Sequence, residues 1–429
     1  MSKTPVSDAE CLGTIKGIRF YRIRSDKFKT ARTDIFFSMP LSAETASANA
    51  LVPALLRRGC LSYPSSLSME RKLEDLYGAS FDYEATKKGE TQIIHLGLAH
   101  VADRYASGGE SLFADSAAFL AELLTHPVLV EGVFREDEFR QERDNLVDSI
   151  RSRINDKIRY ASLRCVEEMC RGEAYAIHAE GGESEASALT ARDVTVAWRG
   201  MLRERPAYVY FSGEIPDADI HSAMEAFAAL DRDPVPTARP RTQAWDGRTV
   251  KHLDEIMDVN QGKMCMGLRT QLEPDSSDWP VMLVYNGILG GDLHSKLFQN
   301  VREKASLAYY ASSRLERHKG ILFINSGIEA ANRAKAEAII LEQLEDMKQG
   351  NITEGEYEAT LRSLNTAFKA TQDSQAGIVD FHFGQHLLGT GESFESLSEK
   401  VAGVTREDVV RVAQNIELDT VYFLQPADA

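Results

Sequence analysis

The sequence repeats one pattern of elements at an interval of about 215 residues. Thr190 with Asp193, and Thr405 with Asp408, form two helix-capping signatures. In such a signature a Thr hydroxyl and an acid three residues later satisfy backbone N–H groups at the start of a helix. A helical stretch and then an apolar strand follow each signature, and the two strands cover Tyr208–Ser212 and Thr420–Leu424. Self-similarity over this distance predicts a fold built from one duplicated unit.

A second correspondence consists of a strand, a polar turn and another strand in each copy. The two segments are Leu76–Ala99, with its turn at Lys87–Glu90, and Leu307–Glu329, with its turn at His318–Gly320. Alternating apolar residues in these segments predict half-buried strands. Long helical stretches follow both hairpins, over Ser111–Leu124 and Asp137–Arg153 in the first copy and over Arg333–Gln349 and Glu354–Thr371 in the second.

A proline-rich segment separates the two copies. It holds one short predicted helix near Ile220–Leu230 and four prolines, Pro216, Pro234, Pro236 and Pro240. Each proline disfavours helix in the residue before it, so the segment is interpreted as a connector. The predicted organisation is an N-terminal α+β half over 1–215, a linker over 216–247 and a C-terminal α+β half over 248–429. We expect each half to be an antiparallel sheet with helices packed on one face.

Composition excludes several classes of protein. The 429 residues include 49 Lys+Arg and 65 Asp+Glu, a formal net charge of −16. That balance disfavours nucleic acid as a partner, and no apolar run approaches the roughly 20 residues that span a bilayer. We expect no membrane partner and, from the mixed polar start of the chain, no secretory signal. Five scattered cysteines without a C-x-x-C pair favour free thiols in a cytoplasmic protein.

Two histidines form the strongest candidate for a metal site judged on spacing alone. His382 and His386 lie four residues apart, on one face if the segment is helical. The run has the form of an inverted zinc motif, H-x-x-E-H, but Gln385 occupies the position of the glutamate. A neutral amide cannot take a proton from the attacking water, so a peptidase site here would lack its base. Packing or surface roles are the alternative for both histidines.

An arginine and a tyrosine form the strongest candidate for contact with a substrate. The run Leu289–Tyr310 is predicted to contain a glycine turn, an amphipathic helix carrying Arg302 and the start of a strand with Tyr309. The guanidinium and the phenol are seven residues apart and could together donate hydrogen bonds to a peptide carbonyl or an oxyanion. A surface arginine beside half-buried tyrosines is the alternative.

The same run resembles the C-terminal half of the pitrilysin/insulinase metallopeptidases, the inverted-zinc-motif family. The matching residues are the glycine turn at Gly290, Ser295–Phe298, Arg302–Lys304 and Leu307–Tyr309. The resemblance covers nearly the whole chain, because that family is built from two similar α+β halves. It implies that the halves face each other as a clam-shell around a cavity, with Gly290, Gly291 and Tyr310 beside the substrate.

The N-terminal half departs from the family at the zinc motif. Leu55–Gly59 and Pro64 match the stretch that follows H-x-x-E-H in active members, which places the motif on Ala50–Ala54. The third ligand of the family falls near Asp148 and Ser149. None of the five residues of Ala50–Ala54 can bind zinc or act as a base. The resemblance therefore implies a chain that holds no metal.

The family also implies a use for such a chain. It includes pairs in which one subunit carries zinc and the other has lost it, and the inactive subunit is thought to complete the substrate site. The leading hypothesis is a non-catalytic subunit that contributes Arg302 and Tyr309, a homologous zinc-bearing subunit as partner and a peptide or unfolded polypeptide as substrate. The alternatives are an active peptidase with a relocated zinc site at His382 and His386, and a pure peptide-binding or scaffold protein.

Overall fold

The structure is a computed structural model, which describes residues 8–106, 111–233, 247 and 249–427. Three linker prolines, at 234, 236 and 240, lie outside the described residues. Elements up to residue 233 are β1 (Glu10–Ile15), β2 (Ile18–Arg24), β3 (Thr30–Pro40), α1 (Ala46–Leu56), α2 (Ser66–Asp75), β4 (Ser80–Lys88), β5 (Thr91–Val101), α3 (Leu112–Thr125), β6 (Leu129–Val130), β7 (Val133–Phe134), α4 (Glu136–Ser152), α5 (Lys157–Met169), α6 (Glu183–Ala188), α7 (Ala191–Glu204), β8 (Ala207–Gly213) and α8 (Asp217–Ala228).

The second copy contains fewer strands and two wide helical turns. Its elements are β9 (Lys251–Met257), β10 (Gly262–Arg269), α9 (Trp279–Asn286), β11 (Ala308–Glu316), β12 (Ile321–Ile328), α10 (Arg333–Gln349), α11 (Glu354–Thr371), α12 (Gln375–Leu388), α13 (Phe394–Ala402), α14 (Arg406–Ala413) and β13 (Glu417–Pro426). The segments Gly287–Gly291 and Phe298–Lys304 are π-helical. None of the described helices is long and apolar enough to cross a membrane.

The described chain divides into two compact units. The first consists of described residues within 1–151, 177–238 and 372–384, and the second of those within 152–176, 239–371 and 385–429. The units thus differ from the predicted division in two exchanged segments. They differ also at α8, which extends the first unit beyond residue 215. Its residues Ile220, Ala223 and Phe227 are buried in the core of that unit because they form one apolar face.

The sheet of the first unit has six strands in the order β1-β2-β8-β3-β5-β4. All neighbours are antiparallel except β2 and β8, which are parallel. The core lies where one face of this sheet meets α1, α3, α7 and α8, with Ile35 and Phe37 among its buried residues. Side chains alternate between the two faces of a strand, so Phe36 points to the opposite face. There its ring stacks on Phe383 of α12 at 4.1 Å.

The sheet of the second unit repeats this plan with five strands in the order β11-β12-β10-β13-β9. Its single parallel pair is β13 with β9. Helix α5 packs on this sheet through Cys165 and Met169, which share a buried cluster with Cys265 of β10. The thiol of Cys165 donates to the carbonyl of Cys265 at 3.5 Å. Each sheet therefore carries a helix that comes from the other copy of the repeat.

The repeat predicts most elements, and the α+β class with two sheet-and-helix halves is confirmed. Both capping signatures form: the Thr190 hydroxyl accepts from Asp193 N–H at the start of α7, and Thr405 does the same for Asp408 at α14. Both hairpins and all four long helices lie within a few residues of their predicted bounds. The sheets are antiparallel apart from one pair in each. In the first copy the parallel pair joins the last strand, β8, to β2, and in the second copy it joins the last strand, β13, to the first, β9.

Candidate functional site: a polar cavity at Arg302 and Tyr309

Arg302 and Tyr309 line one cavity of the second unit. The cavity has a volume of about 390 Å³, and its remaining lining residues are Glu303, Ser306, Leu307, Ala308, Glu329 and Asn332. Most of these side chains are polar or charged. The structure thus brings together the guanidinium and the phenol that the sequence analysis proposed to act on one substrate group.

A π-helical turn positions Arg302. In the π-helical turn Phe298–Lys304 the backbone hydrogen bonds join an N–H group to the carbonyl five residues earlier. An example at the end of the turn is the bond from Ala305 N–H to the Asn300 carbonyl at 3.2 Å. Such turns are frequent at functional sites because they re-aim one side chain within a helix. After this turn the chain reverses direction, and Leu307 N–H donates to the Val301 carbonyl at 3.1 Å. Ser306 makes this return possible with a positive φ of 53°.

A β-bulge positions Tyr309. In the ladder between β11 and β12, Ala308 pairs with Ile328 and Tyr310 pairs with Gly327, so Tyr309 is the extra residue. A bulge bends its strand and redirects the side chain of the extra residue. Tyr309 is 69% exposed, and β11 is one of the two edge strands of its described sheet.

Both side chains have hydrogen-bond donors available. The nearest carboxylate to the Arg302 guanidinium is that of Glu303, with Nε and Oε1 3.8 Å apart, beyond hydrogen-bond distance. Among the described residues neither the guanidinium nor the Tyr309 hydroxyl has a hydrogen-bond partner. This contrasts with Arg269, which donates to both Asp419 and Glu173. Arg302 and Tyr309 can therefore donate to oxygen atoms of a ligand without breaking an internal bond.

The glycines and the second tyrosine of the predicted site lie elsewhere. Gly290, Gly291 and Tyr310 do not line this cavity. Gly290 is buried, and a Cβ on it would stand 2.5 Å from the backbone nitrogen of Ser313 in β11. Tyr310 is half-buried beside Gly327, and burial raises the pKa of its hydroxyl well above the usual range.

The residues at the expected motif positions do not fit a zinc ion. Ala50–Ala54 lies within α1, and Pro53 stands inside this helix. Asp148 and Ser149 lie on α4. The side chains at the five motif positions are methyl, isobutyl, isopropyl and pyrrolidine groups, which offer no ligand atom and no base. Across the residues that the structure describes, no three His, Cys, Asp or Glu side chains are grouped so that they could hold a metal.

Comparison with known proteins identifies the family. The family described as "Peptidase M16 inactive domain" matches residues 189–364. A Bacillus subtilis protein described as "Probable inactive metalloprotease YmfF" is 32% identical over 409 residues, which cover 95% of this chain and 96% of that protein. This chain belongs to the M16 peptidase family. The family resemblance inferred from the glycine turn, the arginine and the tyrosine is confirmed.

Solved structures agree with this M16 fold. A conserved protein from Enterococcus faecalis has a TM-score of 0.91 and 27% identity, with 99% of this chain and 100% of that chain covered. A peptidase M16 inactive domain from Pseudomonas fluorescens has a TM-score of 0.80 at 16% identity, with 98% and 99% covered. The second likeness concerns the fold alone.

The two histidines of the alternative metal site lie on α12 of the M16 chain. His382 is buried beside Phe381, with the two rings 5.2 Å apart, and His386 follows one turn later. Burial lowers the pKa of His382 to about 4. The helix that the sequence required is present, but among the described residues the pair has no third ligand with which to form a metal-binding group.

Sequence reasoning did not single out two lining residues of the cavity or the residue beneath Arg302. Glu329 and Asn332 enter it from the end of β12 and the start of α10, and Phe298 lies under Arg302. Asn332 immediately precedes α10, a position at which asparagine is common as a helix cap, but its side chain makes no capping bond there. In the structure its amide instead donates to the Glu329 carboxylate at 3.3 Å.

Proposed function

We propose that this protein is the non-catalytic subunit of a two-subunit zinc peptidase in the cytoplasm. In this proposal it contributes Arg302 and Tyr309 to a site completed by a homologous subunit that carries the zinc. The observation that carries the proposal is a contrast within the chain. The zinc motif is replaced by apolar residues, whereas two donors that have no hydrogen-bond partner among the described residues remain together in one polar cavity.

The chemistry of the two donors suits a peptide carbonyl. An arginine N–H and a phenol O–H can both donate to one carbonyl oxygen, and these bonds strengthen as the oxygen gains negative charge. The proposal gives both groups a role as hydrogen-bond donors and assigns the nucleophile and the base to the zinc-bearing subunit. The chain on its own is therefore expected to bind a peptide without cleaving it, in keeping with the loss of its motif residues.

The position of Tyr309 suits an extended peptide. Because β11 lies at the edge of the described sheet, a peptide strand can pair with it through backbone hydrogen bonds. The bulge at Tyr309 and the adjacent Arg302 then stand beside the backbone of the added strand. This arrangement supports unfolded polypeptide as the class of substrate.

Reconstitution with the partner tests the proposal. The M16 homologue with an intact H-x-x-E-H from the same genome is co-expressed with this chain, and hydrolysis of fluorescein-labelled β-casein, an unfolded polypeptide, is measured. The variant Arg302→Ala should lower kcat/KM by about 10²- to 10³-fold, the usual loss for one oxyanion donor. The control Arg362→Ala, an exposed arginine of α11, should leave the rate unchanged.

Two results would overturn the proposal. If the chain purified alone binds stoichiometric zinc and cleaves casein, and chelation stops the cleavage, it is itself the enzyme. If the reconstituted complex is active but Arg302→Ala has no effect, this subunit serves as a scaffold. Variants with alanine at His382 and His386 separate a relocated zinc site from contamination by the partner, because only the former loses metal.

A further inference from the structure

The ring of Phe298 lies directly beneath the guanidinium of Arg302. The guanidinium carbon is 4.5 Å from the ring centroid, well within the roughly 6 Å at which a cation is attracted to an aromatic face. The two residues are four positions apart in the π-helical turn Phe298–Lys304, so they project from the same side of it. Phe298 is half-buried.

This contact restrains the side chain of Arg302. Its side chain is 41% exposed and has no hydrogen-bond partner among the described residues. A free arginine samples many rotamers, and fixing them on binding costs conformational entropy. A carboxylate could fix the side chain but would occupy the N–H groups. An aromatic face holds the flat side of the guanidinium and leaves the N–H groups in its plane available.

We propose that Phe298 is a positioning residue that orders Arg302 for its ligand. The ring holds the guanidinium over the π-helical turn, so Arg302 presents ordered and unoccupied donors to the cavity. The stacking itself is a property of this chain. Its consequence for a bound peptide carbonyl rests on the proposed function of the cavity.

A spectroscopic experiment on the full-length protein tests the stacking. A proton above an aromatic ring shifts upfield, so the Arg302 Nε–H signal in ¹⁵N-arginine-labelled protein should carry a ring-current shift. The variant Phe298→Leu should remove this shift, and Phe298→Trp should retain it. Arg333 serves as an internal control, since its guanidinium carbon lies 4.7 Å from the ring centroid of Phe423, and its signal should not move. An Arg302 signal that is unchanged in Phe298→Leu would overturn the proposal.

A kinetic experiment on the reconstituted complex tests the consequence. Phe298→Leu should lower kcat/KM for β-casein by about two- to fivefold, the effect of losing one exposed cation–π contact, and Phe298→Trp should restore it. Combined with Arg302→Ala, Phe298→Leu should cause no additional loss, because the ring then has no guanidinium to hold. An equal loss in both backgrounds would mean that Phe298 acts through packing alone.

The two experiments distinguish a failure of the proposed function from a failure of the positioning role of Phe298. If Arg302→Ala leaves the reconstituted rate unchanged, the proposed function fails, whereas the Arg302 signal still decides whether Phe298 orders the side chain. If Arg302→Ala lowers the rate but Phe298→Leu changes neither signal nor rate, the function stands and the positioning role is wrong. Thermal unfolding of both Phe298 variants shows whether any loss arises from misfolding.

Discussion

The carboxylate of Glu173 binds the ammonium of Lys319 across 2.6 Å, with Lys319 fully buried. The same carboxylate accepts from the Arg269 guanidinium at 2.7 Å. Burial acts to raise the pKa of Glu173, but the bonds from Arg269 and Lys319 outweigh it and the pKa is lowered. One carboxylate from the exchanged segment 152–176 therefore faces two cations of the second unit.

We predict that Glu173→Gln destabilises the protein by about 3 kcal/mol or more. The change removes the negative charge shared by two buried cations, and breaking a buried pair from one side costs about this much. The measurement is the free energy of unfolding in urea. The matched control is Glu358→Gln, whose carboxylate pairs with Arg362 on the exposed side of α11 and should change the free energy by less than about 0.5 kcal/mol. Equal effects of the two variants would contradict the prediction.

Removal of the Tyr309 hydroxyl should affect activity and not stability. Tyr309→Phe is expected to lower kcat/KM of the reconstituted complex by about tenfold or more, because a donor to the developing oxyanion is lost. Its melting temperature should remain unchanged, since the hydroxyl has no partner in the described structure. Tyr105→Phe, at another exposed tyrosine, is the control. A rate for Tyr309→Phe that matches this control would remove Tyr309 from the site.

Two glycines should respond in opposite directions to alanine. In Gly290→Ala the new Cβ would lie 2.5 Å from a backbone nitrogen of β11, and overpacking of this kind costs about 1–3 kcal/mol. Gly200 lies in α7 with nothing within 4 Å of its Cβ position. Gly200→Ala should stabilise the protein by about 0.5–1 kcal/mol through helix propensity. Urea unfolding of both variants measures the difference, and destabilisation by Gly200→Ala would show that its surroundings are closed.

Acid should weaken the protein through His382. Its pKa is about 4 in the folded state, against an ordinary value of 6.5, so the unfolded chain binds a proton in a range where the folded chain does not. The resulting stability is complete above pH 6.5 and is lost as the pH falls from 6.5 to about 4, a loss of roughly 3 kcal/mol.

The variant His382→Gln tests this dependence. It should flatten the change in unfolding free energy between pH 6.5 and 4, whereas His221→Gln, at an exposed histidine of α8, should leave the slope as it is. Paired carboxylates such as Asp34, whose pKa is lowered, add their own loss toward the acid end of this window and below it, equally in the parent protein and in the variant. A slope in His382→Gln equal to that of the parent protein would assign the acid sensitivity to other groups.

Local signals explain why much of the fold could be predicted. Thr190 and Thr405 start helices through contacts within four residues, and Ile94, Leu96 and Leu98 lie on the core face of β5 as their alternation predicts. The strand is nevertheless buried on both faces from Gln92 to Leu98, where the alternation predicted a half-buried strand. Such patterns are written in consecutive residues. The exchange of segments cannot be read from neighbouring residues, because it depends on which sheet offers a complementary surface. Nothing near Cys165 in sequence indicates that its helix packs against Cys265.

The candidate site likewise has features that the local sequence predicts and features that depend on the fold. Arg302 and Tyr309 are seven residues apart, and a helix-to-strand turn is enough to suggest that they converge. Glu329 and Asn332 reach the cavity only through the pairing of β11 with β12, which fixes where β12 ends. The contact between Phe298 and Arg302 depends on the π-helical register, and no residue type in this turn distinguishes it from an α-helix.

The exchanged segments also determine when a nascent chain can complete its first sheet. Phe36 and Tyr208 are covered by Phe383, at 4.1 Å and 5.4 Å between ring centroids. That residue is synthesised about 170 residues after the end of β8 at Gly213. During translation the aromatic face of the first sheet is therefore exposed to water until α12 has been synthesised. Exposed apolar surface of this kind binds chaperones and promotes aggregation. Truncation before α12 should trap the chain in that unfinished state.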